Sequence, residues 1–359
     1  MTEPIYFDAR YIRVDHHDGI SRFSVGLIDA LARLTKVVAI ISDDRQLEYL
    51  PAGIAHHKIH GPTSWQEPFT SLKLNRLGAK IVYSPMQTMG SLGRRFRLVL
   101  TLHDLIYYRH PAPPPSMPAA VRLMWRLYHL SYWPQRWALN GADGIATVSQ
   151  TTRNLMAQHR LTKRPVKVVY NAAGAAADTF GATGRERPTS NSLVYMGSFM
   201  GYKNVETLID AMAHLPNHTL HLLSKITPAR KAQLQQHIAA NSGDVVFHGG
   251  VSEDEYQQLL REAVALVSAS LDEGFGIPLV EAMSQGTPVV VSDIEIFREI
   301  AGEIGNYFNP SDPADLARAI SSLDDGQLWS QESANALVRV QDFGWDKSAQ
   351  SLLELIRSL

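Results

Sequence analysis

Two glutamates, Glu273 and Glu281, stand eight positions apart around the run GFGIP at 274–278. The segment that holds them, AVALVSASLDEGFGIPLVEAMSQGTPVVVSD at 263–293, reads as strand, glycine loop, short helix, glycine stop, strand. Gly274 and Gly276 let the backbone turn tightly and approach a ligand. Pro278 suits the first turn of a helix and Gly286 the position just past its end. Such a loop leaves backbone N–H groups of residues 276–279, from Gly276 and Ile277 to Leu279, at a helix N-terminus, where an anion is stabilised. A phosphate on these donors, with sugar hydroxyls on each carboxylate, suits a sugar nucleotide better than a bare nucleotide.

A second candidate lies in YMGSFMGYKNVETLIDAM, 195–212. Its strand ends at Gly197, and Lys203 with Asn204 opens a helix. A lysine beside a glycine loop at a strand end can reach a diphosphate as a point charge. A third is the pair His103-Asp104, which closes the apolar strand LVLTL. The loop residues Asp15, His16, His17 and Asp18 have metal-ligand side chains, but adjacent residues rarely converge on one ion, and they read as polar groups near an acceptor.

The elements that must carry these groups alternate regularly. Strands are expected at 5–10, 36–42, 80–85, 97–104 and 144–149, with helical spacing at 20–34. A second series follows 166–171 and a small, polar, Gly/Pro-punctuated linker at 172–190. It comprises strands at 192–198, 218–225 and 245–250, helices at 203–215, 228–240 and 252–262, and a closing helix at 345–359. Repeated βα units imply doubly wound parallel sheets, whose ligands gather at the carboxyl ends of the strands. The length, 359 residues, suggests two domains. A net charge of −1 gives no reason to expect nucleic acid as a partner. The chain has no cysteine, which excludes disulfides and thiolate chemistry. MTEPIYFDARYI lacks the basic-then-apolar pattern of a secretory leader, and no run approaches the ~18–20 apolar residues of a membrane span, so a cytoplasmic enzyme is expected.

EGFGIPLVEAMSQGTPVV, 273–290, resembles the donor-site signature of the retaining GT-B-fold glycosyltransferases, in particular glycosyltransferase family 4. Lys203 matches that family's lysine after the glycine loop, His103-Asp104 its Thr-Val-His-Asp, VSQTT at 148–152 its Val-Ser-x-x-Thr, and Gly19-Ile20 its first loop. VVYNAAG at 168–174 resembles its Asn-Gly step into the linker, with Asn171 as hinge. The resemblance implies an α/β GT-B protein with two Rossmann-like domains facing across a cleft. Residues 1–170 would form the acceptor-side domain, with helix 345–359 packing back on it, and 171–344 the donor domain. The donor, a nucleoside-diphosphate sugar with GDP-mannose as first choice, would meet Gly19, Gly197, Ser198, Lys203, His248, Glu273, Gly274, Phe275, Gly276, Ile277, Pro278, Leu279 and Glu281. His103, Glu273 and Lys203 would be catalytic, with His103 donating a hydrogen bond to the transferred sugar. His16, His17 and Asp104 would lie near a glycan or lipid-linked acceptor.

No metal and no cofactor is expected, since the Asp-x-Asp motif of the other main glycosyltransferase fold does not occur. Many family members carry an arginine in the lysine loop where this chain has Ser198 or Tyr202, so Arg22 or a backbone group would have to compensate. That departure keeps two competitors open: a sugar-nucleotide-binding subunit without transfer activity, and an epimerase of the same fold. A Rossmann dehydrogenase fits poorly, because no G-x-G-x-x-G follows the first strand.

The proline-rich stretch 109–137 leads into Trp125, Tyr128, Trp133 and Trp137 among Arg122, Arg126 and Arg136, read as one helix. The favoured reading packs the aromatics on the domain and lets the arginines snorkel. The other is a peripheral contact of 122–137 with an anionic membrane, at the inner face of the cytoplasmic membrane, which a lipid-linked acceptor makes natural.

Overall fold

The β-branched runs form two separate parallel sheets in the computed structural model, which describes residues 3–14, 18–113, 118–174 and 185–359. His16 and His17 lie outside the described residues, as does 175–184 of the expected linker. The chain divides into two compact units, one of Met1–Ala172 with Phe343–Leu359 and the other of Ala173–Asp342.

Unit 1 contains β1 (Ile5–Asp8), β2 (Val37–Ile41), β3 (Ala55–Lys58), β4 (Ile81–Tyr83), β5 (Arg97–Leu102), β6 (Gly144–Thr147) and β7 (Val166–Val168). They pair in parallel in the order β3-β2-β1-β4-β5-β6-β7. Its helices are α1 (Gly19–Leu34), α2 (Thr70–Arg76), α3 (Ile106–Arg109), α4 (Ala119–His129), α5 (Trp133–Asn140) and α6 (Gln150–Gln158). Unit 2 contains β8 (Ser192–Tyr195), β9 (Thr219–Leu222), β10 (Asp244–Phe247), β11 (Ala265–Ser268), β12 (Val289–Ser292) and β13 (Asn306–Phe308), in the order β10-β9-β8-β11-β12-β13, again all parallel. Its helices are α7 (Val205–Ala211), α8 (Pro228–Gln235), α9 (Glu253–Glu262), α10 (Ile277–Ser284), α11 (Glu295–Ala301), α12 (Pro313–Ser321) and α13 (Gly326–Val340). In both sheets the order reverses beside the first strand, which is where a doubly wound sheet opens a crevice. The central strands are buried on both faces, which is why they read as unbroken apolar runs.

Three helices differ from expectation. The helix expected at 203–215 is a 3-10 turn (Gly201–Lys203), then α7, then a second 3-10 turn (Met212–His214); Asn204 in the left-handed region (φ +52°) separates the first two. α8 stops at Gln235 rather than 240: Leu234 is its only buried side chain, and Ile238, the next large apolar residue, is 37% exposed and does not anchor another turn. The single helix expected over 122–137 is two, α4 and α5. Pro134, in the first turn of α5, has no N–H to continue α4.

The last helix, α14 (Trp345–Ser358), returns to unit 1. Leu352, Leu353, Leu355 and Ile356 on its inner face are at most 3% exposed, and burying side chains of this size contributes roughly 1.5–3 kcal/mol each. Trp345 lies over Gly26 of α1, with its ring 6.0 Å from that of Phe23. The two segments that leave and re-enter unit 1 are tied together there: Ser348 Oγ donates to the Tyr170 carbonyl (2.7 Å), and the Tyr170 and Phe343 rings meet edge to face at 5.5 Å.

A Cβ added at Gly26 would stand 2.2 Å from Trp345 Cε2. Alanine improves helix propensity by roughly 1 kcal/mol, whereas overfilling a packed contact costs about 1–3 kcal/mol. Gly26→Ala is therefore expected to lower the free energy of unfolding in urea despite its better helix propensity. A stabilised variant would show that Trp345 is not seated on α1.

Candidate active site

The loops that follow β8 and β11 emerge from neighbouring strands, and the residues picked from each meet. Lys203 Nζ forms an ion pair with Glu273 Oε1, and both side chains are 14% exposed. Ser270 Oγ donates to the same carboxylate oxygen (3.0 Å), and the Lys203 ammonium lies 5.3 Å from the centre of the Tyr202 ring. A pocket at this point is lined by Lys203, Glu273, Ser270, Gly276 and Pro278.

The expected turn chemistry is present in α10. Gly276 precedes the helix at φ +95°, a left-handed conformation that favours glycine, and no side chain caps the N-terminus. Pro278 is in the first turn, and Gly286 lies just beyond the C-terminal end at φ +65°. The donor set narrows, however. Pro278 has no N–H, and that of Leu279 donates to the Gly276 carbonyl (3.0 Å), which leaves Gly276 and Ile277 as donors from 276–279. The Phe275 and Leu279 side chains are buried, at 4% and 2% exposure, and Leu279 adds an apolar wall to the pocket.

Glu281 is 5% exposed, one turn into α10, and Tyr256 on α9 donates its hydroxyl to Glu281 Oε2 (2.8 Å). Tyr256 reads from the sequence only as an apolar position on a polar helix. His248, just past β10, shares a hydrogen bond with His221 of β9 (Nε2 to Nδ1, 3.0 Å). Burial first, then the neighbouring His248, lowers the pKa of His221 below its ordinary value. Gly197 N donates to Ser224 Oγ (3.2 Å). The Tyr195 hydroxyl, its pKa pushed well up by burial and then by the Glu273 charge, donates to the Ser198 carbonyl (2.6 Å). The Lys203 loop has no arginine of its own, but one reaches it from α8. Arg230 Nε donates to the Phe199 carbonyl (3.1 Å), while its other end pairs with Glu206 (2.7 Å). Arg230 therefore pins the loop, a contact its distance in sequence concealed.

Gly19, His103 and Asp104 belong to unit 1. Gly19 is the first residue of α1, whose N-terminus is capped by Asp18 Oδ1 accepting from Ser21 N (2.9 Å), with Arg13 on the other carboxylate oxygen (3.0 Å). Arg22 lies one turn on in the same helix. His103 packs edge-on against Phe23 of α1 (5.1 Å), and its Nε2 is 2.7 Å from the Pro85 carbonyl. A carbonyl only accepts, so Nε2 carries the proton and donates. Burial holds the pKa of His103 below the ordinary histidine value, outweighing that hydrogen bond and the Asp104 and Asp18 carboxylates. The neutral ring then offers Nδ1 as an acceptor. In that state Nδ1 would meet a hydroxyl as an acceptor, where a donated hydrogen bond was expected. Asp104 Oδ1 accepts from Ile106 N (3.0 Å) at the start of α3. Ser149 caps α6 by accepting from Thr152 N (3.0 Å).

Sequence reading also missed a buried charge cluster at the end of β1. Arg10 makes two hydrogen bonds to Asp8 (2.7 and 2.9 Å) and reaches Glu67 (2.7 Å). Burial opposes its charge, but the two carboxylates together raise its pKa above the ordinary arginine value.

Two family models match the chain side by side: Glycosyltransferase Family 4 over residues 17–173 and Glycosyl transferases group 1 over 179–339. An O-antigen chain mannosyltransferase, RfbU of Salmonella typhimurium, is 29% identical over 183 residues, half of each chain. O-antigen chain mannosyltransferase B of Escherichia coli is 26% identical over 73% of this chain and 71% of its own length. Among solved structures, a sucrose-phosphate synthase from Thermosynechococcus elongatus matches 99% of this chain and 98% of its own, with a TM-score of 0.71 and 21% identity. Anabaena HepE in complex with UDP and glucose matches 99% of this chain and all of its own, with a TM-score of 0.70 and 18% identity.

The Lys203–Glu273 contact is mostly shielded from water, where paired groups couple strongly. A double-mutant cycle of Lys203→Met and Glu273→Gln, read by urea unfolding, is expected to give a coupling of about 0.5–3 kcal/mol. Additive effects of the two substitutions would mean that the pair does not form.

Proposed function

We propose that this chain, a GT-B glycosyltransferase similar to family 4, moves a hexosyl group from a nucleoside-diphosphate sugar to an acceptor hydroxyl with retention at the anomeric carbon. One observation carries the reading: Lys203, Glu273 and the uncapped N-terminus of α10 converge where the strand order of unit 2 reverses. A cation and a helix N-terminus together suit a diphosphate, and a carboxylate beside them suits the sugar attached to it. Mannose is the sugar supported by the names of the two O-antigen relatives, with GDP-mannose as donor. The acceptor is a glycan or lipid-linked saccharide, and the reaction belongs to the cytoplasmic side of the membrane.

The chemistry follows from the bond that breaks. As the anomeric C–O bond to the diphosphate opens, negative charge collects on the departing oxygen, where Lys203 and the N–H groups of Gly276 and Ile277 can meet it. The acceptor oxygen bonds to the same face of the sugar, and its proton passes to the departing phosphate oxygen. Glu273 holds sugar hydroxyls, and Glu281, steadied by Tyr256, holds the ribose. These positive groups stabilise the leaving group without a metal ion.

Lys203 already has a carboxylate partner, so a diphosphate must share or displace Glu273. Glu273→Gln should cut transfer at least ~10²-fold through lost orientation of the sugar. Calorimetry should show affinity for the free nucleoside diphosphate unchanged or raised, because the lysine is released. A collapse of that affinity would reassign Glu273. A thermal-shift screen of GDP, UDP, ADP and dTDP sugars identifies the donor; no stabilisation by any of them would sink the reading. Slow donor hydrolysis separates an enzyme from a binding subunit without activity.

Transfer should also survive EDTA. Full loss on chelation, restored by Mn²⁺ or Mg²⁺, would overturn the metal-free chemistry.

A further inference from the structure

Helices α4 and α5 present a surface that neither donor nor acceptor chemistry uses. No residue of α4 is buried. Leu123, Met124, Leu127 and Leu130 are 60%, 67%, 58% and 77% exposed, and Trp133 and Trp137 of α5 are 68% and 75% exposed. At about 100° per residue Leu123, Met124 and Leu127 of α4 and Leu130 at its C-terminal cap form one stripe. The opposite face is the one that packs. Trp125 meets Tyr107 edge to face (4.7 Å), His129 meets Tyr108 (5.0 Å), and the Tyr128 hydroxyl donates to Gln135 (3.0 Å). Packing thus accounts for Trp125 and Tyr128, as expected from the sequence, but not for Trp133 and Trp137.

The charge along this segment of the chain has one sign. Between Asp104 and Asp143 there is no acidic residue, while Arg109, Arg122, Arg126 and Arg136 all fall in that interval, in a chain whose net charge is −1. Arg136 is occupied by the His159 and Arg160 carbonyls. Arg122 and Arg126 are exposed and lie on the same flank of the stripe. An exposed apolar stripe edged on one flank by arginines, on a segment without carboxylates, complements a surface that is apolar below and anionic above. An antiparallel pairing of two such faces would set arginine against arginine, and this segment has no carboxylate to balance them. No helix of the described residues is long and apolar enough to cross a membrane, so the contact lies in the interfacial plane.

We infer that α4 and the beginning of α5 dock unit 1 on a bilayer with anionic headgroups. Leu123, Met124, Leu127, Leu130, Trp133 and Trp137 enter the headgroup boundary, and Arg122 and Arg126 lie against phosphates. This goes beyond the transfer reading and does not depend on it.

The test is cosedimentation of the full chain with phosphatidylcholine vesicles, with and without phosphatidylglycerol. Binding to the mixed vesicles is expected, with much weaker binding to the neutral ones and release by salt. Leu127→Glu or Trp133→Glu should lower the partition coefficient at least about tenfold. Arg122→Ala and Arg126→Ala should each lower it about fivefold. These side chains are exposed, so far-UV circular dichroism and Tm should match the parent. Glu273→Gln should bind vesicles normally, so that failure of the donor site and failure of the membrane contact are told apart. Three results would overturn the inference: no binding to the mixed vesicles, binding unaffected by Leu127→Glu, or a dimer in sedimentation equilibrium that Leu127→Glu dissociates.

Discussion

The reversal of strand order between β8 and β11 is the constraint on which the candidate site depends. Right-handed crossovers send the chain one way from β8 toward β10 and the other way from β11 toward β13. The two strands are neighbours in the sheet, yet Lys203 and Glu273, in the loops that follow them, are 70 residues apart in sequence. At such a reversal the connections that leave the two strands go to opposite faces of the sheet and leave a crevice between the loops, so a cation and a carboxylate can meet there with the N-terminus of α10 beside them. The loops can vary without disturbing the fold because the strands beneath are apolar and buried on both faces.

What holds these groups in place is polar and long-range. Glu273 has Lys203 and Ser270, Glu281 has Tyr256, and the Lys203 loop is pinned through Phe199 by Arg230. A carboxylate as buried as Glu281 needs a donor, since an unsatisfied charge in such a place is costly. Tyr256 meets that need and also restricts where the carboxylate can point. In unit 1, His103 is oriented by the Pro85 carbonyl and the edge of Phe23, and its burial keeps the ring neutral. Each of these candidate groups is therefore held by a residue outside the set picked from the sequence.

The contrast between these two sets shows what a sequence makes legible. Glu273, Gly276, Pro278, Glu281 and Gly286 obey local rules of turns and helix ends, within a dozen or so residues, and could be read directly. The parallel sheets were legible as apolar runs, except at their margins. β3, AHHK, is a mostly exposed edge strand with no apolar run, and β13 is only three residues long. Tyr256, Arg230, His221 and the Arg10 cluster were not legible, because each acts on a partner 25 residues or more away. The proton on His103 Nε2 depends on a carbonyl 18 residues upstream, beyond any motif. The break between α4 and α5 had a local sign in Pro134, overlooked because the aromatic and basic residues continue across it.

The return of α14 makes unit 1 discontinuous: its first part ends at Ala172 and its last begins at Phe343, with all of unit 2 between them. During synthesis the sheet of unit 1 is complete while the groove that receives Trp345, Leu352 and Ile356 is still open. The second unit, contiguous in the chain, can fold as it emerges, so the part made later can be finished first. Until the final helix arrives, the first unit exposes apolar surface around Phe23 and Gly26 that the finished protein hides. A chaperone guarding a nascent chain would find its longest-lived target there.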